Sequence, residues 1–141
     1  QYGRELYDTV KKSEMTISFV GPRMDIFKYL NDADIFLTTS LGEALPRSVL
    51  EAMVAGLPII ATRIDGHNEL VVDHFNGYLF EPDKPEDMIK AMSIIEKDSL
   101  LRDKMGQNSK AYYDRQYSSA NYLNRIKMLV EGNLKEWEEV D

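Results

Sequence analysis

The 141-residue chain contains no cysteine, which excludes both a disulfide framework and a thiolate metal site. It has only two histidines, so a histidine-based metal cluster is not expected either. No apolar run reaches the ~18 residues that a membrane-spanning helix needs, and the first residues lack the pattern of a signal peptide. The net charge of −7 argues against nucleic acid as a partner.

The length and the apolar content set the broad class of the protein. An apolar fraction of 43% is ordinary for a soluble globular chain, and 141 residues are enough for one domain with a real core. We find no internal repeat and no linker, so residues 1–141 are treated as a single domain.

A central stretch, Ile35 to Thr62, has the pattern of a strand, a helix and a second strand. The apolar stripe of its helix is formed by Val49, Leu50, Met53 and Val54. Gly56 predicts the end of this helix, because glycine adopts the left-handed cap conformation without penalty. The segment after Pro58 then predicts a buried strand.

Two glutamates give this unit a possible chemistry. Glu43 lies in the turn before the helix, and Glu51 follows eight positions later within it. At roughly 100° per residue, eight steps return to within about 80° of the starting direction. Backbone N–H groups at a helix start favour phosphate, so two carboxylates beside them suit a nucleotide sugar. The alternative is that Glu43 caps the helix and Glu51 is an ordinary solvated residue.

Further motifs follow at the expected spacing, and together they resemble a known family. The pattern E-x7-E, an Ala-Met-Val-Ala-Gly-Leu-Pro run, a Gly-x-x-Glu turn and an Asn-Gly-Tyr-Leu strand resemble the signature of group 1 glycosyltransferases. These are retaining enzymes of the GT-B fold. The resemblance extends from about Gly3 to Ser118. The chain departs from the pattern at Ala44, where the family usually has glycine, and at Val54, where a small residue is common.

The resemblance implies an α/β fold, a Rossmann-like parallel sheet with helices on both faces. This fold corresponds to the C-terminal, donor-binding half of a two-domain enzyme, with the first strands of the sheet absent. It also implies transfer of a hexosyl unit from a nucleotide-diphosphate sugar, without metal or other cofactor. The acceptor, a sugar or lipid-linked glycan in surface polysaccharide or glycolipid synthesis, would bind through the missing N-terminal domain. We expect a cytoplasmic enzyme, with peripheral membrane association as an alternative, and an inactive isolated fragment.

The resemblance also assigns site residues. Glu43 would contact the donor sugar near the reacting centre, and Glu51 the ribose hydroxyls. Arg47 near the helix N-terminus opposes the helix dipole, which is easier to explain beside a bound anion, although an ion pair with either glutamate is an equal alternative. The full set of expected donor-binding residues is Arg23, Met24, Glu43, Ala44, Leu45, Pro46, Arg47 and Glu51. Arg23 and Met24 are assigned to the nucleobase, with ordinary solvated side chains as the alternative.

The rest of the chain predicts further elements. Strands are expected at Thr16 to Val20, Asp34 to Thr39 and Tyr78 to Phe80. Helices are expected at Gly3 to Ser13, 25–32, Glu69 to Val72, 85–97, 99–115 and from Ser118 or Ser119 onward. We expect the Glu69 side chain to accept backbone N–H bonds. His67 is expected to be an ordinary surface histidine, with contact to a donor phosphate as the alternative.

Two other functions remain open at this point. A GT-B sugar-nucleotide epimerase would carry similar motifs, although the spacing of the glutamates fits transferases better. A non-catalytic Rossmann-like module for protein binding would need neither glutamate. We also expect self-association, because an incomplete sheet leaves an unpaired edge.

Overall fold

Three short strands and six helices follow one another in the computed structural model, which describes residues 9–11 and 16–131. The elements are α1 (Ile26–Leu30), β1 (Phe36–Thr38), α2 (Arg47–Val54), β2 (Ile59–Thr62), α3 (Asp65–Asn68), β3 (Gly77–Phe80), α4 (Pro85–Lys97), α5 (Ser99–Gln116) and α6 (Ser119–Glu131). Residues 9–11 are also helical. Most of the expected opening helix, Gly3 to Ser13, lies outside the described residues, and so do residues 132–141.

The strands form one parallel sheet in the order β1-β2-β3. Phe36 pairs with Ile59, and Ile59 pairs with Gly77 on its other side. All four residues of β2 are buried, as expected for a β-branched and apolar strand between two neighbours. Each crossover contains a helix, so the carboxyl ends of the strands share one edge of the sheet.

Helices cover both faces of the sheet, as predicted. On one face, Ile59 and Ala61 pack with Val49 and Met53 of α2. On the other face, Ile60 packs with a cluster that includes residues of β3, α4 and α5: Phe80, Ala91, Ile95 and Met105. The alternation of β2 side chains thus divides the core into two layers. Met53 and Met105 are buried in these layers and Met88 packs against the second, whereas Met92 on α4 is 38% exposed.

Several helix boundaries confirm the sequence prediction. Helix α4 spans Pro85–Lys97 as expected, and α2 ends before Gly56, whose φ of 74° is the left-handed conformation that glycine favours. Helix α5 begins after Asp98, which accepts a capping bond from Leu101 N. Ser118 Oγ accepts from Asn121 N at 3.4 Å and so caps α6.

The predicted strand at Thr16 to Val20 is wrong. These residues form no regular structure, and all five are exposed. An alternating apolar pattern makes a strand only when a neighbour accepts its hydrogen bonds, and within the described residues β1 pairs with β2 alone. Strand β1 is also shorter than predicted and not buried on both faces, since Leu37 keeps 38% of its surface exposed.

The predicted helix at Glu69 to Val72 is also wrong in position. Helix α3 comes earlier, at Asp65–Asn68, and Glu69 is its C-terminal cap residue. The Asn76 side chain explains the shift, because its Oδ1 accepts from Val72 N at 2.8 Å and its Nδ2 donates to Leu70 O at 3.0 Å. These two bonds fix residues 70–76 as a loop.

Candidate functional site

The loop between β1 and α2 carries Glu43 at the carboxyl edge of the sheet. Ser40 Oγ donates to Glu43 Oε1 at 3.2 Å. Glu43, Ala44 and Leu45 are exposed. Glu43 does not cap α2, whose N-cap residue is Pro46 and whose N-terminus has no side-chain cap. The capping alternative is therefore excluded, and the Glu43 carboxylate faces solvent beside the start of the helix.

The first turn of α2 is suited to an anion. Pro46 is buried, and its carbonyl accepts from Val49 N and Leu50 N at 3.1 and 3.3 Å. No acidic side chain lies in this turn, and Arg47 is its first residue. None of the ion pairs within the described residues joins Arg47 to Glu43 or Glu51. The guanidinium and the positive end of the helix dipole therefore act on the same region, and no ion pair within the described residues engages Arg47 there.

A cavity of about 230 Å³ lies along the exposed side of α2. Arg47 and Glu51 line it together, one helical turn apart. Its other walls are apolar or aromatic side chains from α1, α2, α5 and the residue after α5: Phe27, Leu50, Val54, Tyr113 and Tyr117. A cation, a carboxylate and aromatic rings in one concave space suit a ligand with hydroxyl groups and a flat ring.

The two glutamates are separated by this arrangement. Glu51 is half-buried and lines the cavity, whereas Glu43 lies in the preceding loop and is not part of the cavity wall. The structure thus joins Glu51 to Arg47 and places Glu43 near the helix start. A ligand that contacts both carboxylates must extend from the cavity past the first turn of α2.

Arg23 and Met24 do not line this cavity. The Arg23 guanidinium donates to Tyr29 OH, lies 5.2 Å from the centre of the Tyr29 ring, and pairs with Asp25 at 3.4 Å. Met24 is fully exposed. Arg23 therefore contacts its own loop and α1. The assignment of Arg23 and Met24 to the nucleobase stays a prediction.

His67 is buried, and its expected surface position is wrong. Its Nδ1 lies 2.8 Å from Thr62 O and 3.2 Å from Thr62 Oγ1. The residue pattern contained no sign of this burial, because the short helix was expected later in the chain, at Glu69 to Val72. Glu69 also differs from expectation, since its backbone carbonyl accepts from Tyr117 OH at 3.1 Å and no described bond involves its side chain.

Thr62 is a site residue that the sequence reasoning missed. Its Oγ1 donates to Ser40 O, so the end of β2 holds the loop that carries Glu43. The available signal was a hydroxyl residue directly after the apolar run Ile59, Ile60, Ala61. Tyr113 and Tyr117 were missed as cavity residues because they lie more than 60 positions beyond Glu51, and only packing brings them together.

Arg63 follows Thr62, and its guanidinium forms ion pairs with two protein carboxylates. Its guanidinium pairs with Asp73 at 2.9 Å and with Glu81 at 3.0 Å. It also donates to Leu79 O at 3.4 Å. These contacts join the ends of β2 and β3, so Arg63 stabilises this edge of the sheet.

The resolved pKa shifts belong to Asp87 and Lys90 on α4: their hydrogen bond lowers the pKa of Asp87 and raises the pKa of Lys90. Lys90 is exposed and Asp87 is half-buried, and neither lines the cavity. Within the described residues, no group of three or more histidine, cysteine, aspartate or glutamate side chains can hold a metal ion. The same part of the chain has no helix long and apolar enough to cross a membrane.

The chain matches known proteins in sequence. The family model "Glycosyl transferases group 1" matches residues 6–112. The chain is 35% identical over 95 residues to an Escherichia coli UDP-Gal:alpha-D-GlcNAc-diphosphoundecaprenol alpha-1,3-galactosyltransferase, covering 67% of this chain and 24% of that protein. It is 34% identical over 102 residues to an amylovoran biosynthesis glycosyltransferase of Erwinia amylovora, covering 67% and 23%. The chain thus spans about a quarter of the length of these relatives.

Solved structures agree with this assignment. The Anabaena protein HepE in complex with UDP superposes with a TM-score of 0.85 at 24% identity, over 93% of this chain and 37% of that one. The C-terminal domain of the group 1 glycosyl transferase LpcC from Francisella tularensis gives 0.73 at 28% identity, over 84% and 63%. The fold is therefore that of the C-terminal domain of GT-B glycosyltransferases. The chain belongs to the group 1 glycosyltransferase family.

Proposed function

We propose that the chain is the donor-binding domain of a retaining glycosyltransferase of the hexosyl-transferring type. The observation that carries this proposal is the shared cavity of Arg47 and Glu51 beside the uncapped start of α2. Family membership supports it. The donor is a nucleotide-diphosphate sugar, and the acceptor binds through a second domain.

The donor extends along α2 in this proposal. The nucleoside occupies the cavity, where Glu51 accepts hydrogen bonds from the ribose hydroxyls and the aromatic walls exclude water. The diphosphate lies at the first turn of α2, near Arg47 and the backbone of Ala44, Leu45 and Pro46. The sugar then reaches Glu43. The complexes of the Anabaena protein with UDP and with UDP-glucose support a nucleotide sugar as ligand.

Glu43 contributes to the chemistry through the donor sugar. A carboxylate near the reacting carbon stabilises the positive charge that develops as the bond to the diphosphate breaks. Arg47 and the helix dipole stabilise the negative charge of the departing diphosphate. These groups can act without a metal ion, so we propose metal-independent transfer with retention of the anomeric configuration.

The acceptor class is proposed from the relatives. The Escherichia coli relative is named for a diphosphoundecaprenol-linked acceptor, and the Erwinia relative for amylovoran biosynthesis. We therefore propose a sugar or lipid-linked glycan acceptor in surface polysaccharide or glycolipid synthesis. A cytoplasmic enzyme, peripheral at the membrane, fits such an acceptor. The isolated domain is expected to bind donor without turnover.

Calorimetry and product analysis test this proposal. The chain is titrated with UDP and with UDP-sugars, and saturable binding that Glu51→Ala weakens supports the donor site. Glu96→Ala is the control, because Glu96 is exposed on α4 and outside the cavity. In the two-domain enzyme, NMR of the product with and without a chelator tests retention and metal independence. Absence of any nucleotide binding would favour a protein-binding module, and an epimerised free sugar would favour an epimerase.

A further inference from the structure

A continuous path of hydrogen bonds links the buried end of β2 to Glu43. Thr62 is buried at the last position of β2, and its Oγ1 donates to Ser40 O, 22 residues earlier. Ser40 Oγ then donates to Glu43 Oε1 at 3.2 Å. The most buried strand of the sheet is thus connected to an exposed carboxylate through a single intervening residue.

His67 fixes the orientation of Thr62. The His67 ring is fully buried, and its Nδ1 lies 2.8 Å from the carbonyl oxygen of Thr62. A carbonyl oxygen only accepts, so Nδ1 carries the proton and donates it. The same nitrogen is 3.2 Å from Thr62 Oγ1, whose own proton is already given to Ser40 O. His67 therefore holds both oxygens of Thr62 and directs its hydroxyl toward the loop.

Burial of His67 is not explained by packing alone. Its Nε2 is buried without a hydrogen-bond partner among the described residues. An unpaired buried polar atom lowers stability, and an apolar side chain would avoid this cost. Among the described residues, the hydrogen bonds of Nδ1 to Thr62 are the polar contacts that offset the unpaired Nε2 atom.

Gly66 adds a steric contact on the same loop. A Cβ atom at Gly66 would lie 2.3 Å from the carbonyl oxygen of Glu43 and 2.9 Å from that of Ala44. The backbone of α3 therefore packs directly against the peptide units around Glu43. Two consecutive elements therefore hold the loop that carries Glu43. Strand β2 holds it through the Thr62 hydroxyl, and α3 holds it through the contact at Gly66.

We propose that Thr62 and His67 are positioning residues for the reaction, which act through Ser40 to hold the Glu43 carboxylate. This inference rests on the proposed function and deepens it. Neither side chain touches the donor in the proposed complex. Their loss leaves the cavity of Arg47 and Glu51 intact, so donor binding persists while the sugar-facing carboxylate is displaced. A displacement of about 1 Å is enough to lower turnover by about 10²-fold.

The test compares two substitutions with conservative counterparts in the two-domain enzyme. Thr62→Val removes the hydroxyl at nearly constant volume, and Thr62→Ser retains it. His67→Leu removes the Nδ1 donor, and His67→Asn retains a donor at the equivalent position. We expect kcat to fall about 10- to 100-fold in the first member of each pair with donor KM within about threefold, and to recover in the second.

A matched control separates positioning from stability. Ser109 is buried and donates to Asn76 O at 3.2 Å, so Ser109→Ala also removes a buried bond from a hydroxyl to a carbonyl. We expect its melting temperature to fall as that of Thr62→Val does, with kcat unchanged. Equal kcat in Thr62→Val and the wild type would overturn the proposal. A parallel loss of kcat in Ser109→Ala would overturn it as well.

A second measurement does not depend on turnover. The ¹⁵N heteronuclear NOE of residues 40–44 in the 141-residue chain reports the mobility of the loop. We expect lower NOE values in Thr62→Val than in the wild type and Thr62→Ser. Unchanged values would contradict the positioning role even if kcat falls. If the wild type binds no nucleotide sugar, the proposed function fails, and the NOE comparison still decides whether Thr62 holds the loop.

Discussion

Glu43 and Glu51 differ in surroundings although their spacing suggests a matched pair. Glu51→Ala removes a half-buried carboxylate from the cavity wall, so we expect donor binding to weaken by about 1–3 kcal/mol, the range for a charge-assisted hydrogen bond. Glu43→Ala removes an exposed carboxylate outside that wall. It should lower kcat more than donor affinity, because its contact strengthens in the transition state.

Calorimetry gives donor affinity for both variants, and initial rates in the two-domain enzyme give kcat. Glu96→Ala serves as the exposed control outside the cavity. Wild-type affinity in Glu51→Ala together with wild-type kcat in Glu43→Ala would contradict the site assignment.

Gly66 and Gly42 offer a matched pair of glycines close to the same loop. Alanine at Gly66 would place its Cβ 2.3 Å from Glu43 O, whereas alanine at Gly42 meets nothing within 4 Å. We expect Gly66→Ala to lower the free energy of unfolding by about 1–3 kcal/mol through overpacking, and Gly42→Ala to change it little. Urea denaturation measures both. Equal stability of the two variants would show that the loop moves aside freely.

At the residue scale, the sequence predicted the side chains that lie near one another in the chain. Glu51 and Arg47 are four positions apart on one helix, so helical geometry alone places them together. His67 escaped prediction because its burial depends on α3, which spans Asp65–Asn68 and so lies earlier than the predicted helix. Thr62 escaped because its partner lies 22 residues away.

At the scale of elements, α5 packs closely against the end of α2. A Cβ at Gly106 would lie 2.1 Å from Gly56 O. Helix propensity alone predicts that Gly106→Ala stabilises α5 by up to about 1 kcal/mol. The contact with a backbone carbonyl reverses this sign, because neither backbone can move without disturbing the core. We expect a net loss of about 1–3 kcal/mol.

Thermal or urea denaturation of Gly106→Ala tests the sign of this change. Gln107→Ala is the control, since Gln107 is exposed on the same helix and the same replacement there should be neutral or slightly stabilising. Stabilisation by Gly106→Ala would show that the two helices separate at little cost.

The elements that could be predicted are those determined by local pattern. The central strand–helix–strand unit and helix α4 agree with their periodicity and capping residues. The strand at Thr16 to Val20 could not be judged this way, because a strand depends on a partner elsewhere in the chain. Position within the sheet, and not propensity, also explains the exposure of Leu37 in β1.

At the scale of the whole molecule, the edge of the sheet at β1 supports the expectation of self-association. Within the described residues, β1 pairs only with β2, and Leu37 is 38% exposed. We expect the chain to associate in solution and Leu37→Lys to shift it toward monomer, because a charge on an edge strand opposes pairing. Leu100→Lys is the control, since Leu100 is 81% exposed on α5 and is not part of β1.

Light scattering over a range of concentrations gives the mass of each variant. A wild-type chain that stays monomeric at high concentration would contradict the expectation. Dissociation by Leu100→Lys alone would place the interface on α5 instead of the sheet edge.

The bond from Tyr117 OH to Glu69 O has a consequence for partial unfolding. This bond is solvent-exposed, whereas all four residues of β2 are buried. Exposed contacts open at lower free energy than core strands. Low urea concentrations should therefore release the aromatic wall of the cavity first and weaken UDP binding before global unfolding. Amide hydrogen exchange should show residues 113–117 opening under conditions in which Ile59–Thr62 stay protected.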